Sequence, residues 1–298
     1  AAKRYMDHIA ALGLNLLVIY TEDTFTVPEY RYMGYLRGRL SSEEMQEMDD
    51  YAASLGIELV PCIQTLGHLE QFLQWYENHP LRDQPAVLMA DDEKTYDFIE
   101  AEIRAVRKAF RGKRLHIGMD EAHGVGLGRY FYQNGPTDRF QLLRRHLDKV
   151  VALCEKYDFK PMMWSDMYFQ IDGVHYHGEH DPSPEAIAAV DPRVTLVYWD
   201  YYQCKEEMYD EALRKHAMFP AETVFAARTI FAFVFVLAFA TALAFSTEAT
   251  ETPISGKQDV TAHHFALRVR SAYCTDAAVY VIAFVQDVDG TKADSQLF

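Results

Sequence analysis

The chain has 298 residues, which suits one large barrel domain or one domain with a smaller second one. Its formal net charge of −15 argues against nucleic-acid backbones as partners. Its four cysteines have no paired spacing, so the sequence indicates neither a disulfide framework nor a zinc site, and we expect no metal and no cofactor.

Strand-like and helix-like patterns alternate along the first two-thirds of the chain. Apolar runs of strand length, each ending in polar or aromatic residues, occupy residues 14–23, 57–64, 114–121, 160–166 and 194–202. Helical spacing of apolar residues predicts helices at about 2–12, 41–55, 95–110, 140–157 and 206–216. The helix near residue 41 has a clear start, because Ser41 or Ser42 supplies a hydroxyl cap and acids follow.

The order of these patterns predicts the fold class. Continuous apolar runs indicate strands that are covered on both faces, and strands alternating with helices indicate a parallel sheet. Five consecutive units with polar strand ends favour an α/β fold of the (β/α)8 barrel type. A doubly wound sheet is less favoured, because no glycine-rich dinucleotide fingerprint follows any strand.

Two adjacent carboxylates, Asp120 and Glu121, follow the apolar run that begins at Arg114. Barrel enzymes place their chemistry where a strand ends at its carboxyl side, and neighbouring acids are costly to ionise together unless their pKa difference is used. A helix cap at Asp120 with a solvated Glu121 would explain the same pair without any chemistry. The pair is therefore a candidate catalytic site with a structural alternative.

The surrounding segments resemble glycoside hydrolase family 20, the β-N-acetylhexosaminidases, and most of all its compact, hexosaminidase D-like members. Six pieces match in the family's order across roughly residues 1–217, at 20–25, 34–39, 61–70, 116–121, 163–167 and 198–202. The resemblance implies a TIM-barrel enzyme that removes terminal β-linked N-acetylglucosamine or N-acetylgalactosamine from glycans. Its nucleophile would be the substrate's own 2-acetamido oxygen.

The same resemblance implies roles for individual residues. Glu121 would be the general acid and then the base, Asp120 would orient the acetamido group, and Tyr198 would hydrogen-bond the acetamido oxygen. Further substrate contacts would come from the ends of other strands, namely from Asp200, Trp164, Trp199, Asp166, His68, Asp23 and Glu22. For the tryptophans and His68, ordinary packing is an alternative. His68 would pair with Asp23, or with Glu22 instead.

Two segments depart from the family pattern. The chain opens on a helix, so we expect the family's first strand and its sugar-binding arginine to lie upstream, and Arg37 and Arg39 do not match that position. The resemblance fades from about residue 218, which divides the chain into a catalytic region, 1–217, and a divergent or foreign segment, 218–298. Within that segment, residues 229–245 carry no charge and are just short of a typical membrane span. Residues 218–245 resemble a secretory signal peptide placed mid-chain, and a barrel would make the same stretch a strand with a buried helix.

Three readings of function follow from these patterns. The leading one is a cytoplasmic exo-β-N-acetylhexosaminidase that acts on N-acetylhexosamine-containing glycans. The second is a non-catalytic relative or chimera that associates with membranes only through residues 229–245. The third is a retaining glycosidase with its own nucleophile, for which Asp200 is the obvious candidate. The sequence indicates no interface for an oligomer. The histidines at 175–180 are irregularly spaced, so a metal site there is disfavoured.

Overall fold

The computed structural model describes residues 2–11, 13–200, 206–227, 265–267, 280–282 and 285–287. The apolar stretch 229–245 lies outside these residues. Of the helices within the described part of the chain, none combines the length and the apolarity needed to cross a bilayer.

Six parallel strands form the centre of the sheet. They are β1 (Leu16–Glu22), β2 (Glu58–Ile63), β5 (Arg114–His116), β6 (Lys160–Trp164), β7 (Thr195–Asp200) and β8 (Thr223–Ala227), paired in that order. Short strands from the end of the chain complete the sheet, with β10 (Tyr280–Ile282) antiparallel to β1, and β11 (Val285–Asp287) between β8 and β9 (Phe265–Leu267). A small hairpin, β3 (Arg82–Gln84) and β4 (Val87–Leu88), stands apart from it.

Helices follow the strands in the alternation that a parallel sheet requires. The long ones are α1 (Ala2–Ala11), α2 (Ser42–Ser54), α4 (Glu93–Ala109), α6 (Arg139–Lys156) and α9 (Glu206–His216). The short ones are α3 (Glu70–Leu73), a 3₁₀ helix (Tyr76–Leu81), α5 (Arg129–Asn134), α7 (Met167–Gln170) and α8 (Pro184–Ala189). Ser41 caps α2 in a complete capping box with Glu44, so the N-cap at Ser41 is established.

The period of two along each strand divides the core into two layers. The inner face of the sheet carries a cluster made of strand side chains alone, namely Leu16, Val18, Val60, Cys62, Met162, Trp164 and Val197. The outer face packs against the helices in a larger cluster that includes Leu17, Ile19 and Leu59. On each strand, residues an even number of positions from an inward residue such as Cys62 or Trp164 therefore point inward, and the residues between them point toward the helices.

The predicted strands and long helices are confirmed, and so is the α/β fold class. One boundary differs in a way that matters for the site, because β5 ends at His116 and not at the acid pair. Backbone hydrogen bonds nevertheless continue past this end, from Ile117 to Met162 and from Trp164 to Gly118. The segment that carries the acids thus stays attached to the sheet without the regular geometry of a strand.

Candidate active site

Left-handed backbone conformations cluster where the first parallel strands end. Glu22, His68, Met119 and Glu121 have φ angles of 50°, 55°, 71° and 49°. A non-glycine residue in this region carries strain, and such strain persists mainly where a site requires a particular backbone path. The ends of β1, β2 and β5 therefore form the candidate functional region.

Asp120 is held by two side chains from the segment after β2. Gln64 donates from Nε2 to Asp120 Oδ1 at 2.9 Å, and His68 Nε2 lies 3.1 Å from Asp120 Oδ2. The same His68 nitrogen lies 3.5 Å from Glu121 Oε2. One imidazole thus bridges both carboxylates, which explains how two neighbouring acids are tolerated at the end of a strand.

The charge state of His68 follows from this arrangement. Its hydrogen bond to Asp120, assisted by the charges of Asp120 and Glu121, raises the pKa of His68 to about 9 against the opposing effect of burial. At neutral pH His68 is therefore an imidazolium between two acids. Of these acids, Asp120 is mostly covered, whereas the Glu121 side chain is 43% exposed and open to a ligand.

Gln64 is fixed on its other sides as well. It donates to the Tyr20 hydroxyl at 3.1 Å and accepts the Met119 backbone N–H at 3.3 Å. Gly118 makes this possible, since a Cβ at that position would lie 2.1 Å from Gln64 Oε1 and its φ is +70°. The amide of Gln64 therefore sets the direction of the Asp120 carboxylate.

Asp166, at the end of β6, supports Glu121 from behind. Its Oδ2 accepts the Glu121 backbone N–H at 2.9 Å, and its Oδ1 lies 3.4 Å from the indole nitrogen of Trp199. Burial, and then the charge of Asp120, raise the pKa of Asp166 to about 8. Asp166 is thus protonated at neutral pH and holds Glu121 in its strained backbone conformation.

The two predicted tryptophans occupy the inner face at different depths. Trp164 is buried, with its ring centroid 4.3 Å from that of His116, whose pKa burial lowers to about 3. Trp199 is half-buried and nearer the acids, as its contact with Asp166 shows. Trp164 therefore lies beneath the site, and Trp199 lies beside it.

Tyr198 and Asp200 lie on the outer face, with parity opposite to Trp199. The Tyr198 hydroxyl donates to Asp200 Oδ2 at 3.1 Å, and His177 Nε2 contacts the same oxygen. The Tyr198 ring packs edge-on against Tyr176 at 4.7 Å. The structure therefore joins Tyr198 and Asp200 to each other and to the loop after β6.

Glu22 and Asp23 share one partner, Arg37. Its Nη1 donates to Glu22 Oε1 at 2.7 Å and also to Asp23 Oδ1. The expected pairing of His68 with one of these acids is replaced by the contact of His68 with Asp120 and Glu121. Arg37, which the sequence pattern set aside, is thus a member of the strand-end cluster.

A buried hydrogen-bond network lies under the segment that carries Gln64 and His68. His146 Nε2 is 2.9 Å from the Thr65 carbonyl oxygen, and its Nδ1 is 3.1 Å from the Tyr96 hydroxyl. Burial lowers the pKa of His146 to about 4, so the ring is neutral. Because a carbonyl only accepts, Nε2 carries the proton and Nδ1 accepts from Tyr96. Thr65 in turn donates to the Ile117 carbonyl at 2.8 Å, which ties the ends of β2 and β5 together.

Sequence reasoning missed Gln64, His116, Tyr176 and His146. Gln64 ends an apolar run and stands two residues after Cys62. Because side chains alternate along a strand, this spacing predicts that Gln64 points to the same inner face as Cys62. The histidines at 175–180 bring His177 to Asp200, and within the part of the chain that the structure describes no three His, Cys, Asp or Glu side chains are placed to hold a metal ion.

Comparison with known proteins gives a consistent result. The sequence pattern of the glycosyl hydrolase family 20 catalytic domain matches residues 20–226. Hexosaminidase D of Bos taurus is 30% identical over 202 residues, which cover 64% of this chain and 55% of that protein. Hexosaminidase D of Homo sapiens is 29% identical over 203 residues, which cover 64% of this chain and 39% of that protein. The chain thus spans about half of these relatives or less.

Solved structures of low sequence identity share the fold. A β-N-acetylhexosaminidase from Bacteroides fragilis aligns with a TM-score of 0.58 at 20% identity, covering 76% of this chain and 46% of that one. A family 20 exo-β-N-acetylglucosaminidase from Vibrio harveyi, solved with N-acetylglucosamine, gives a TM-score of 0.55 at 17% identity, covering 75% and 38% of the two chains. The family match ends within β8, nine residues beyond the boundary predicted at 217.

Proposed function

The chain belongs to glycosyl hydrolase family 20, and on this basis we propose that it is an exo-β-N-acetylhexosaminidase acting on terminal N-acetylhexosamine of glycans. The observation that carries the proposal is the Asp120–Glu121 pair, bridged by His68 and supported by Asp166. The catalytic region that we propose includes β8, because β8 pairs in parallel with β7.

The proposed reaction has two steps. In the first, the substrate's acetamido oxygen attacks the anomeric carbon, the glycosidic C–O bond breaks, and the proton of Glu121 goes to the leaving oxygen. In the second, Glu121 takes a proton from water as the water oxygen attacks the anomeric carbon, which reopens the oxazolinium ring and restores the acid. Glu121 loses a proton in the first step and regains one in the second, so the enzyme ends the cycle in the state in which it began.

The contacts around the pair support this division of labour. Gln64 and His68 hold Asp120 as a directed carboxylate, suited to the positive charge that develops on the acetamido nitrogen. Glu121 is the more exposed of the two acids, as a group that meets the leaving oxygen must be. The imidazolium of His68 touches both and is the nearest proton source for Glu121.

Other side chains complete the proposed pocket. Trp199 would cover the apolar face of the sugar, and Trp164 would close the pocket below. By the family resemblance, Tyr198 would bind the acetamido oxygen and Asp200 a sugar hydroxyl; both side chains would have to turn from the outer face toward the pocket and exchange their mutual bond for contacts with the substrate. Glu22 and Asp23, both paired with Arg37, would border the sugar's outer hydroxyls.

Asp200 is a poor candidate for a protein nucleophile. It is buried and already accepts hydrogen bonds from Tyr198 and His177, whereas a retaining enzyme of the ordinary type needs a second carboxylate open to the anomeric carbon. The substrate-assisted route needs no such group. We therefore prefer it to a mechanism with a covalent glycosyl-enzyme.

The test is hydrolysis of N-acetyl-β-glucosaminides by the chain and by Glu121→Gln. For a substrate whose leaving group needs protonation, we expect kcat/KM to fall roughly 10²–10⁴-fold, and by much less for an activated aryl leaving group. Glu207→Gln, an exposed change on α9, is the matched control. A thiazoline analogue of the oxazolinium ion should inhibit the chain.

Two outcomes would contradict the proposal. Unchanged turnover in Glu121→Gln would mean that another group is the acid. No turnover from the folded, unmodified chain would instead favour the non-catalytic relative, and the fold would then serve binding alone.

A further inference from the structure

The loop between α7 and α8 contacts the last residues of β7. We define the histidine loop as residues 171–183. Within it, His177 Nε2 contacts Asp200 Oδ2, the oxygen that also accepts the Tyr198 hydroxyl at 3.1 Å. Because a carboxylate oxygen only accepts, Nε2 is the donor. The side chains of His177 and Asp200 are 16% and 5% exposed, so this contact is largely shielded from water.

His177 makes little use of its ring apart from this contact. Within the part of the chain that the structure describes, its Nδ1 atom is buried and has no hydrogen-bond partner. A buried polar atom without a partner lowers stability, so a histidine is a poor choice for packing alone at this position. The bond to Asp200 is therefore what the histidine side chain provides here.

The residue before His177 fixes the histidine loop to the outer layer of the fold. Burial lowers the pKa of His216 to about 4, so its ring is neutral, and Nδ1 carries the proton because it lies 2.7 Å from the Ala212 carbonyl oxygen. His216 Nε2 therefore accepts from the Ser165 hydroxyl at 2.8 Å, and Ser165 Oγ accepts from the Tyr176 hydroxyl at 3.1 Å. Movement of Tyr176 would break this chain of bonds.

A buried lysine fixes the backbone on both sides of His177. Lys215, on α9, has a fully buried side chain, and its Nζ donates to the Gly178 carbonyl and lies 3.5 Å from the His175 carbonyl oxygen. A buried ammonium group needs such partners, so displacing the loop would be costly. His177 is thus held on the outer side of β7 and cannot follow Asp200 toward the pocket.

We propose that His177 is a positioning residue that holds Asp200 in its outward orientation and so regulates how readily the site binds a sugar. This rests on the proposed function, in which Asp200 turns toward the pocket to meet a sugar hydroxyl. Because His177 stays behind, that turn breaks the bond between the two side chains. We call this bond the latch; a bound sugar replaces it with its own hydroxyl.

The latch has a consequence of definite sign for binding. When a site is competent only part of the time, its apparent dissociation constant is the intrinsic value divided by the competent fraction. The latch lowers that fraction, since it stabilises the outward orientation alone. Removing the donor of His177 should therefore tighten binding, whereas removing a group that supports the bound state would weaken it. Chemistry at Glu121 is not involved, so kcat should stay the same.

The experiment compares two replacements of His177. Phenylalanine keeps a ring but has no donor, whereas glutamine keeps an N–H group at a similar reach. For His177→Phe, we expect the Kd of the thiazoline analogue, by titration calorimetry, and the KM of an N-acetyl-β-glucosaminide to fall about tenfold, with kcat unchanged. His177→Gln should keep the parent values. His180→Phe, an exposed change on the same loop, is the matched control.

His177→Ala also removes the donor, and it decides the question if His177→Phe does not fold. Unchanged or weaker thiazoline binding by the variant without a donor would overturn the inference. So would tighter binding by His177→Gln, because the loss of the donor would then not be the cause.

The two proposals fail separately. Absence of turnover by the unmodified chain, together with tighter thiazoline binding by His177→Phe, would refute the enzyme and keep the latch. Turnover by the unmodified chain, with the same Kd and KM in His177→Phe, would refute the latch alone. Absence of thiazoline binding by the parent and by every variant would refute both.

Discussion

Replacing Asp166 with asparagine should change how the stability of the protein depends on pH. Burial and the charge of Asp120 raise the pKa of this carboxyl from 3.8 to about 8. The folded chain therefore keeps the Asp166 proton up to about pH 8, whereas the unfolded chain releases it near pH 4. Because the folded state binds the extra proton, the stability that this group contributes is fully present below pH 4 and is lost as the pH rises to 8.

The magnitude follows from the width of that window. Each pH unit between the two pKa values costs about 1.4 kcal/mol, so the step from pH 5 to pH 8 costs about 4 kcal/mol. This is a large part of the 5–15 kcal/mol that typically separates folded from unfolded chains. Asparagine has the same shape, its oxygen still accepts the Glu121 N–H, and it has no proton to lose.

The assay is urea unfolding followed by circular dichroism at pH 5 and pH 8. The free energy of unfolding of Asp166→Asn, minus that of the parent, should rise by about 4 kcal/mol between the two pH values. Groups that do not interact with Asp166 cancel in this difference, and the effect of the Asp120 charge on Asp166 is part of it. Asp210→Asn, an exposed change on α9, is the matched control.

A difference that stays within about 1 kcal/mol for Asp166→Asn would refute the reasoning. It would mean that Asp166 is ionised in the folded protein, and that the bond from the Glu121 N–H outweighs burial. The support of Glu121 would then come from a carboxylate and not from a carboxylic acid.

Two further changes test the frame of the site. Gly118→Ala should destabilise the fold by roughly 1–3 kcal/mol more than Gly173→Ala, because both glycines have a φ of +70° but a Cβ meets neighbouring atoms only at position 118; equal thermal shifts would exclude a steric role. His146→Leu should cost roughly 1–3 kcal/mol for each partner left unpaired, the Thr65 carbonyl and the Tyr96 hydroxyl. Tyr96→Phe should cost about as much in urea unfolding, because it also leaves two groups without a partner, His146 Nδ1 and the Asp91 backbone N–H; a loss of half that size or less would contradict this account.

The alternation of strands and helices could be predicted because it depends on neighbours in the sequence. The capping box at Ser41 and Glu44 is complete within four residues, and the apolar stripe of α4 repeats every turn. The acid pair at 120 and 121 stands out for the same reason. The surroundings of this pair could not be predicted in the same way, since the strand before it already ends at His116.

The face of each side chain was predictable in principle. Tyr198, Trp199 and Asp200 stand together at one strand end in the sequence, but a strand turns successive side chains to opposite faces. Trp199 accordingly reaches Asp166, whereas Tyr198 and Asp200 bond to each other on the outer face. Their shared role in one pocket, implied by resemblance, therefore remains a proposal.

The sequence by itself determined the order of elements, the covering of the strands on both faces and the acid pair that follows a strand, because these follow from residue type and local spacing. Only the tertiary structure decided which side chains serve those acids. Gln64 meets Asp120 across 56 residues, and Asp166 meets the Glu121 backbone across 45. Such contacts depend on the pairing and register of separate strands, and no local pattern records them; for that reason His68 lies with Asp120 and Glu121 while Arg37 lies with Asp23.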